Sequence, residues 1–191
     1  MDQFKKILNP IDKFNSGYVK NNPNLLKHLN TNLVNGKSFH YLFTGDVGCG
    51  KTYLAKNTIG CSLSRWHTIK VHKFYQEYLS IISSSAYDKF DALKSHNLIM
   101  QSESLLIDDL GDEKPSTEAA HDYFAGLIER RYDYLERKAK FSRTIITTNL
   151  TGNQISKTYG SRVLDRIKHY FVICKFNDVS FRDKTKQIIL G

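Results

Sequence analysis

Residues 45–52 read Gly-Asp-Val-Gly-Cys-Gly-Lys-Thr and follow the apolar run Tyr41-Leu42-Phe43. A G-x-x-x-x-G-K-T string between a strand and a helix is typical of a Walker A phosphate-binding loop. Its glycines allow the backbone to approach an anion, and successive N–H groups then surround a phosphate at the start of the helix. The motif therefore predicts a nucleoside triphosphate site at the end of a strand in an α/β fold.

The loop residues have distinct expected roles. Lys51 would reach the β- and γ-phosphates, and the Thr52 hydroxyl would ligate Mg²⁺. We expect the backbone and flanking side chains to complete the nucleotide-binding set, which comprises Gly45, Asp46, Val47, Gly48, Cys49, Gly50, Lys51, Thr52 and Tyr53.

The 191-residue chain is strongly basic, with 28 Lys and Arg against 19 Asp and Glu and a formal net charge of +9. Such an excess favours contact with a polyanion such as nucleic acid. The alternative is charge that only aids solubility, because the basic residues are spread along the chain rather than grouped.

Cysteine usage and the lack of apolar segments indicate the compartment. The chain has three cysteines, and Cys49 lies inside the phosphate loop, where a disulfide would obstruct the backbone. The first residues lead into no signal peptide, and no run approaches about 18 consecutive apolar residues. We therefore expect a cytoplasmic protein without membrane contact.

The chain divides into an Asn- and Lys-rich extension at residues 1–36, a candidate partner-binding segment, and one domain at residues 37–191. Near-continuous apolar runs alternate with helical patterns in the second part, which predicts a five-stranded parallel sheet flanked by helices. The predicted strands are 40–43, 68–71, 104–108, 144–147 and 170–176. The predicted helices are 51–63, 74–83, 89–100 and 117–138, the last with Ser116 as candidate N-cap.

Two acids end the third predicted strand, in Ser104-Leu105-Leu106-Ile107-Asp108-Asp109. This pattern is typical of a Walker B segment, in which Asp108 would hold Mg²⁺ through bound water. Asp109 would polarise the attacking water as a general base. Alternatively, the two acids simply start a loop.

The fourth predicted strand ends in Thr147-Thr148-Asn149. Because ligands bind at the carboxyl ends of strands in such sheets, Asn149 is expected beside the acids. Its amide could accept from the attacking water and donate to a phosphate oxygen. Alternatively, Thr148 and Asn149 cap the following helix, and both roles could hold at once.

Arg162 and Arg166 lie four residues apart and would share one face of a helix. Guanidinium groups delivered to a γ-phosphate, in cis or from a neighbouring subunit, stabilise the charge of phosphoryl transfer. The alternative is a solvated face with an Arg–Asp pair.

Together, the motifs at 45–52, 105–111, 131–132, 144–150 and 160–167 resemble the AAA+ P-loop ATPase module of bacterial replicative-helicase loaders, the DnaC/DnaI-like proteins. IstB-like transposition ATPases are close relatives of that group, and the resemblance covers about residues 38–185. It implies ATP as the nucleotide, Asn149 as the sensor 1 residue and Arg166, with Arg162 beside it, as an arginine finger for an adjacent subunit. Ser180-Phe181-Arg182 resembles a later family element, which makes Arg182 a weaker candidate for a sensor 2-like contact.

The resemblance implies a helicase-loader function in DNA replication, with weak ATPase activity as a monomer. The expected partners are a hexameric replicative helicase, single-stranded DNA and further copies of the chain. Two alternatives remain: an IstB-like helper that binds DNA and a transposase, and a non-catalytic adaptor switched by ATP. Segments 72–78 and 130–134 mix basic and aromatic residues and could contact single-stranded DNA, unless their aromatics belong to the core.

Overall fold

The computed structural model describes residues 27, 29, 31, 32, 38–60, 66–83, 93, 94, 96, 97, 101–113, 116–137 and 142–176. Its strands are β1 (Phe39–Gly45), β2 (Trp66–Lys70), β3 (Ser104–Leu110), β4 (Arg143–Thr148) and β5 (Val172–Phe176). Its helices are α1 (Lys51–Gly60), α2 (Val71–Ser83), α3 (Glu118–Arg137), α4 (Gly152–Tyr159) and α5 (Ser161–Tyr170).

The strands form one sheet in the order β2-β3-β4-β1-β5, and every neighbouring pair is parallel. This confirms the predicted five-stranded parallel sheet flanked by helices. The observed strand boundaries differ from the predicted ones by a few residues. The most important difference is that β3 continues past Asp108 to Leu110. Both predicted acids therefore belong to the strand.

The three central strands, β3, β4 and β1, are buried on both faces, which explains their nearly continuous apolar sequences. Along β1, Tyr41 and Phe43 belong to a core cluster with α1 residues such as Leu54. Leu42 points to the opposite face and joins the cluster formed with α2, α3, α4 and α5. Three parallel strands with packed faces thus hold their carboxyl ends along one edge.

Gly45 fixes the point at which β1 passes into the phosphate loop. Its φ is 149°, and a Cβ at this position would lie 2.1 Å from the backbone oxygen of Phe176. Because β1 and β5 approach this closely, no larger residue fits without moving β5.

Helix α3 agrees with the prediction except at its start. The Ala120 amide donates to Thr117 Oγ1 at 3.2 Å, so Thr117 is the residue that caps the helix. Ser116, the predicted N-cap, instead lies with Oγ at 3.2 Å from His121 Nε2. The prediction was wrong by one residue because two adjacent hydroxyl residues compete for the same role.

Several sequence predictions fall wholly or partly outside the described residues. They include most of the 1–36 extension, the end of the 51–63 helix and Arg182. Positions 93, 94, 96 and 97 of the predicted 89–100 helix are helical, and the other positions of that helix lie outside the described residues. Among the residues that are described, no helix is long and apolar enough to cross a membrane.

Candidate functional site

The carboxyl ends of β2, β3 and β4 and the start of α1 enclose a cleft of about 390 Å³. Most of the predicted site residues meet here. The lining residues are Val47, Gly48, Gly50, Lys51, Thr52, Tyr53, Lys56, Lys70, Asp108, Asp109 and Asn149. Gly48 and Gly50 have φ of 84° and 89°, so the loop follows the left-handed path that its glycines permit.

Lys51 is 5% exposed and lies at the centre of the loop. Its Nζ donates to the backbone oxygens of Gly45 and Asp46, both at 2.7 Å, and to Asn149 Oδ1 at 2.9 Å. All of these acceptors are uncharged, so none of them is a counterion for the ammonium. A phosphate oxygen is the ligand that such a group lacks.

Asp108 is 1% exposed, and its two carboxylate oxygens have different surroundings. Oδ1 accepts hydrogen bonds from the hydroxyls of Thr52 and Thr147, each at 2.8 Å. Oδ2 is buried, and none of the described residues donates a hydrogen bond to it. A buried carboxylate oxygen without a donor, beside a Thr hydroxyl, fits a hydrated Mg²⁺ ion, which takes one or two protein ligands and keeps several waters.

Asp109 follows with a backbone φ of 62°, and it alone among the described non-glycine residues has a positive φ. Its amide donates to Thr147 Oγ1 at 2.9 Å, and the β3–β4 register shifts between Ile107 and Leu110. Aspartate tolerates this conformation better than most residues, yet it still carries strain. The irregularity turns the second acid into the cleft beside the first.

The carboxyl group of Asp109 is electrostatically perturbed. Burial raises its pKa, and the nearby charges of Asp108 and Asp112 raise it further, while Lys51 and Lys70 oppose the shift. A carboxylate whose pKa moves towards neutrality is better suited to accept a proton than an ordinary surface aspartate.

Asn149 does not cap the next helix. Helix α4 begins with a capping box in which Thr151 Oγ1 accepts from the Gln154 amide while the Gln154 side chain accepts from the Thr151 amide. Asn149 is therefore free of that role, and its side-chain oxygen accepts a hydrogen bond from Lys51 Nζ. The amide thus bridges the end of β4 and the phosphate loop.

Hydroxyl groups fasten the loops around the cleft to one another. Thr148 Oγ1 donates to Leu110 O at 2.6 Å, and Thr44 Oγ1 donates to Leu150 O at 2.7 Å. These bonds tie the end of β4 to β3 and the end of β1 to the segment before α4. The polar groups of the cleft are consequently held by a fixed frame.

Some predicted site residues lie elsewhere. Cys49 is fully buried in the core beside α1, and Asp46 contributes only its backbone oxygen to Lys51. Arg162 and Arg166 do not line this chain's cleft; both pair with Glu129 on α3, so the suggested Arg–Asp pair is an Arg–Glu contact. Arg182 lies outside the described residues.

Sequence reasoning missed three residues of the site. Lys70 ends β2, so the rule that places ligands at strand carboxyl ends could have found it had the strand end been predicted correctly. Lys56 lies one helical turn after Thr52 on α1 and shares its face. Thr147 bridges both acids, but nothing distinguishes it in sequence from a strand threonine that only packs.

The two aromatic-basic segments are largely structural. Phe74, Tyr75 and Arg131 are 5%, 3% and 2% exposed, so their side chains are not available for stacking on bases or pairing with phosphates. A second cavity of about 680 Å³ lies between α2 and α3 and includes Tyr78 and the exposed Arg130, but none of the motif residues.

The sequence matches the protein family described as "IstB-like ATP binding protein" over residues 14–188. No curated protein sequence is significantly similar to the chain.

Solved structures with the same fold include a replication initiator DnaA bound to AMPPCP and single-stranded DNA, with a TM-score of 0.61 and 17% identity. AMPPCP-bound DnaA from Aquifex aeolicus has a TM-score of 0.59 and 19% identity. These similarities cover 89% and 88% of this chain, which spans about half of each DnaA chain, 52% and 51%. Domain III of Thermotoga maritima DnaA is also similar, with a TM-score of 0.52, 17% identity, and coverage of 89% of this chain and 70% of that one. At such identities the similarity establishes an AAA+ type fold and nothing more.

Proposed function

The chain belongs to the IstB-like ATP-binding protein family, and on that premise we propose that it binds and hydrolyses ATP in the cleft at the carboxyl edge of its sheet. The observation that carries the proposal is the convergence of Lys51, Thr52, Asp108, Asp109 and Asn149 on one cleft of about 390 Å³. Phosphoryl transfer requires positioning and charge stabilisation rather than covalent chemistry from the protein. A cation, an open carboxylate oxygen, a base of raised pKa and an amide meet that need.

Each residue has a proposed role that follows from its contacts. Lys51 exchanges a carbonyl partner for phosphate oxygens, and Thr52 with Asp108 holds Mg²⁺, which when bound neutralises charge on the β- and γ-phosphates. Asp109 orients and deprotonates the attacking water, and Asn149 senses the γ-phosphate from the end of β4. The loop backbone and Val47 and Tyr53 flank the nucleotide, with Arg182 as a further candidate contact.

We also propose that the site is completed by another copy of the chain. Arg162 and Arg166 lie on α5, outside their own cleft, as a finger acting on a neighbour's ATP must. Such a finger is worth roughly 10³ to 10⁵ in rate, so a lone chain would hydrolyse ATP slowly.

The proposed biological role is a helicase-loader-type factor that assembles with a hexameric replicative helicase and single-stranded DNA. The ordered set of five motifs and the net charge of +9 support it. In this proposal residues 1–36 bind the partner and residues 37–191 form the ATPase domain.

A second role is a transposition helper that binds DNA and a transposase. The family match over residues 14–188 favours it directly, because IstB-like proteins give the family its description. Both roles use ATP to control assembly on DNA and differ only in the partner, whereas a non-catalytic adaptor would bind ATP without turnover.

ATP binding in the presence of Mg²⁺, measured by calorimetry, tests the site. Lys51→Ala should weaken affinity at least about tenfold, since one charge-assisted contact is worth roughly 1.5–3 kcal/mol. Lys157→Ala on the exposed side of α4 is the matched control with the same loss of charge and should bind normally. Equal affinity of the two variants would refute the cleft as the ATP site.

Affinity capture separates the partner roles. The full chain carrying Asp109→Asn, held in its ATP state, is used as bait in host extract with and without ATP. Recovery of a hexameric helicase supports loading, and recovery of a transposase with duplex DNA supports the helper role. Recovery that ignores ATP would contradict both.

A further inference from the structure

Both arginines of α5 meet the same carboxylate oxygen on a different helix. Arg162 Nε and Arg166 Nη1 each lie 3.3 Å from Glu129 Oε1, and Glu129 belongs to α3. Two guanidinium groups on one helical face repel each other, and a shared carboxylate offsets that repulsion. The contact therefore allows the pair to remain side by side.

The two arginines differ in how firmly they are held. The Arg162 side chain is 73% exposed, and an ion pair at that exposure contributes little. The Arg166 side chain is only 15% exposed, and its Nη1 is buried without an aligned hydrogen bond among the described residues. For Arg166 the contact with Glu129 is therefore electrostatic and poorly screened by solvent.

Tyr132 holds Arg166 from a second direction. The Arg166 guanidinium carbon lies 4.9 Å from the centre of the Tyr132 ring, which is within the range of a cation–π contact. The ring is itself fixed edge-on against Tyr170 at 4.9 Å between centroids, with an interplanar angle of 87°. Tyr132 is three residues from Glu129, so both lie on the same face of α3.

We propose that Glu129 and Tyr132 are positioning residues that hold Arg166, with Arg162 beside it, in the orientation in which it reaches ATP in a neighbouring chain. The inference rests on the proposed function, because it assigns the supports of the finger that completes the composite site. An arginine loses considerable rotamer freedom when it is fixed, and a support that fixes it beforehand reduces that cost at assembly.

The supports act through the arginine of their own chain and so affect turnover only in the chain opposite. This direction separates positioning from a general contribution to folding. An acceptor chain with Arg162→Ala and Arg166→Ala keeps an intact cleft but offers no finger. A donor chain with Lys51→Ala keeps its arginines but has a disabled cleft, so turnover in the mixture reports only acceptor clefts that face donor fingers.

The experiment measures phosphate release by a fixed amount of acceptor as full-length donor is added. Glu129→Gln in the donor should lower the plateau rate about tenfold, within the roughly hundredfold that a misplacement of about 1 Å can cost. The donor concentration at half-maximal rate should change little, because the variant still assembles. Asp133→Asn, an exposed acid on the same helix, is the matched control and should keep the plateau.

Two substitutions at Tyr132 give a second pair of donor chains. Tyr132→Phe keeps the ring beneath Arg166 and should retain the plateau rate, whereas Tyr132→Leu removes the ring and should lower the rate severalfold. Thermal unfolding of each donor shows that it is folded, so the inference remains testable if one variant proves unstable.

The outcomes distinguish two failures. If the unmodified donor does not stimulate the acceptor, the proposed composite site is wrong. If it does stimulate but Glu129→Gln and Asp133→Asn donors reach the same plateau, the inference about positioning is wrong. An equal loss when Glu129→Gln is placed in the acceptor would also overturn it, because the effect would then not pass through the donor's arginine.

Discussion

The two ends of β3 and β4 each bury a charged side chain, but they treat it in opposite ways. At the amino end, Arg131 from α3 donates through Nε and Nη2 to Thr144 Oγ1 at 3.0 and 2.9 Å, and through Nη1 to Ser102 O at 2.6 Å. At the carboxyl end, Asp108 satisfies one oxygen with two threonine hydroxyls and leaves the other without a donor among the described residues.

The difference separates a structural site from a functional one on the same strands. Every nitrogen of the Arg131 guanidinium has a protein acceptor, so the group joins α3 to β4 and to the residue just before β3. The open oxygen of Asp108 and the strained backbone of Asp109 remain costly until a ligand offsets them.

The largest effect of a substitution is expected at the carboxyl ends of β3 and β4. Asp109→Asn removes the proposed base while keeping the side chain's size, and it should lower ATP turnover by roughly 10² to 10⁴ with ATP affinity retained. Phosphate release at saturating ATP, together with calorimetry, measures both quantities. Turnover within about threefold of the unmodified chain would show that the chemistry lies elsewhere.

At the amino ends of β3 and β4, a substitution should instead change the stability of the fold. Arg131→Met leaves Thr144 on β4 and the carbonyl of Ser102, just before β3, without this donor and should lower the free energy of unfolding by roughly 3 kcal/mol. Arg130→Met, next to it but exposed, is the matched control and should change stability little. Denaturant unfolding measures the difference, and equal midpoints for the two variants would contradict the structural role of Arg131.

His40, near the amino end of β1, makes the stability of the fold depend on pH. Burial, and secondarily the charge of Arg131, lowers its pKa to about 4, so between pH 6.5 and about 4 the unfolded chain binds this proton more tightly than the folded one. The group therefore reduces stability as pH falls through that window, by about 2 kcal/mol between pH 7 and pH 5. His40→Gln should remove that part of the pH dependence, and the control His67→Gln, at an exposed position of β2, should leave it unchanged. Unfolding curves at about pH 7 and pH 5 measure both variants. The reverse pattern would contradict this role of His40.

The smallest change in stability is expected for a substitution at Asp108. Without nucleotide, Asp108→Asn should leave the free energy of unfolding unchanged or raise it by up to about 1 kcal/mol, because a buried carboxylate with an open oxygen becomes a neutral amide. The same change should abolish most of the stabilisation that Mg²⁺ and ATP give the unmodified chain. Thermal unfolding with and without both ligands decides the matter, and a large loss of stability in the unliganded variant would place Asp108 with Arg131 as a structural residue.

The sequence was informative wherever chemistry follows from local spacing. The phosphate loop, the strands and the meeting of Lys51, Thr52, Asp108, Asp109 and Asn149 all follow from motif order and from the rule for strand ends. Lys70 was missed because it required the correct end of β2, and Thr147 because its role depends on a register shift between two strands. Glu129 was beyond reach for the same reason, since its contact with α5 arises from the packing of two helices far apart in sequence.

The most direct test of the account is ATP turnover per chain as a function of protein concentration, for the unmodified chain and for Arg166→Ala. A site completed by a neighbour predicts slow turnover at low concentration, a rise of at least about a hundredfold with assembly, and no rise for Arg166→Ala, in keeping with the 10³ to 10⁵ that a finger in trans supplies. Rapid turnover that is independent of concentration and unchanged in Arg166→Ala would contradict the central claim.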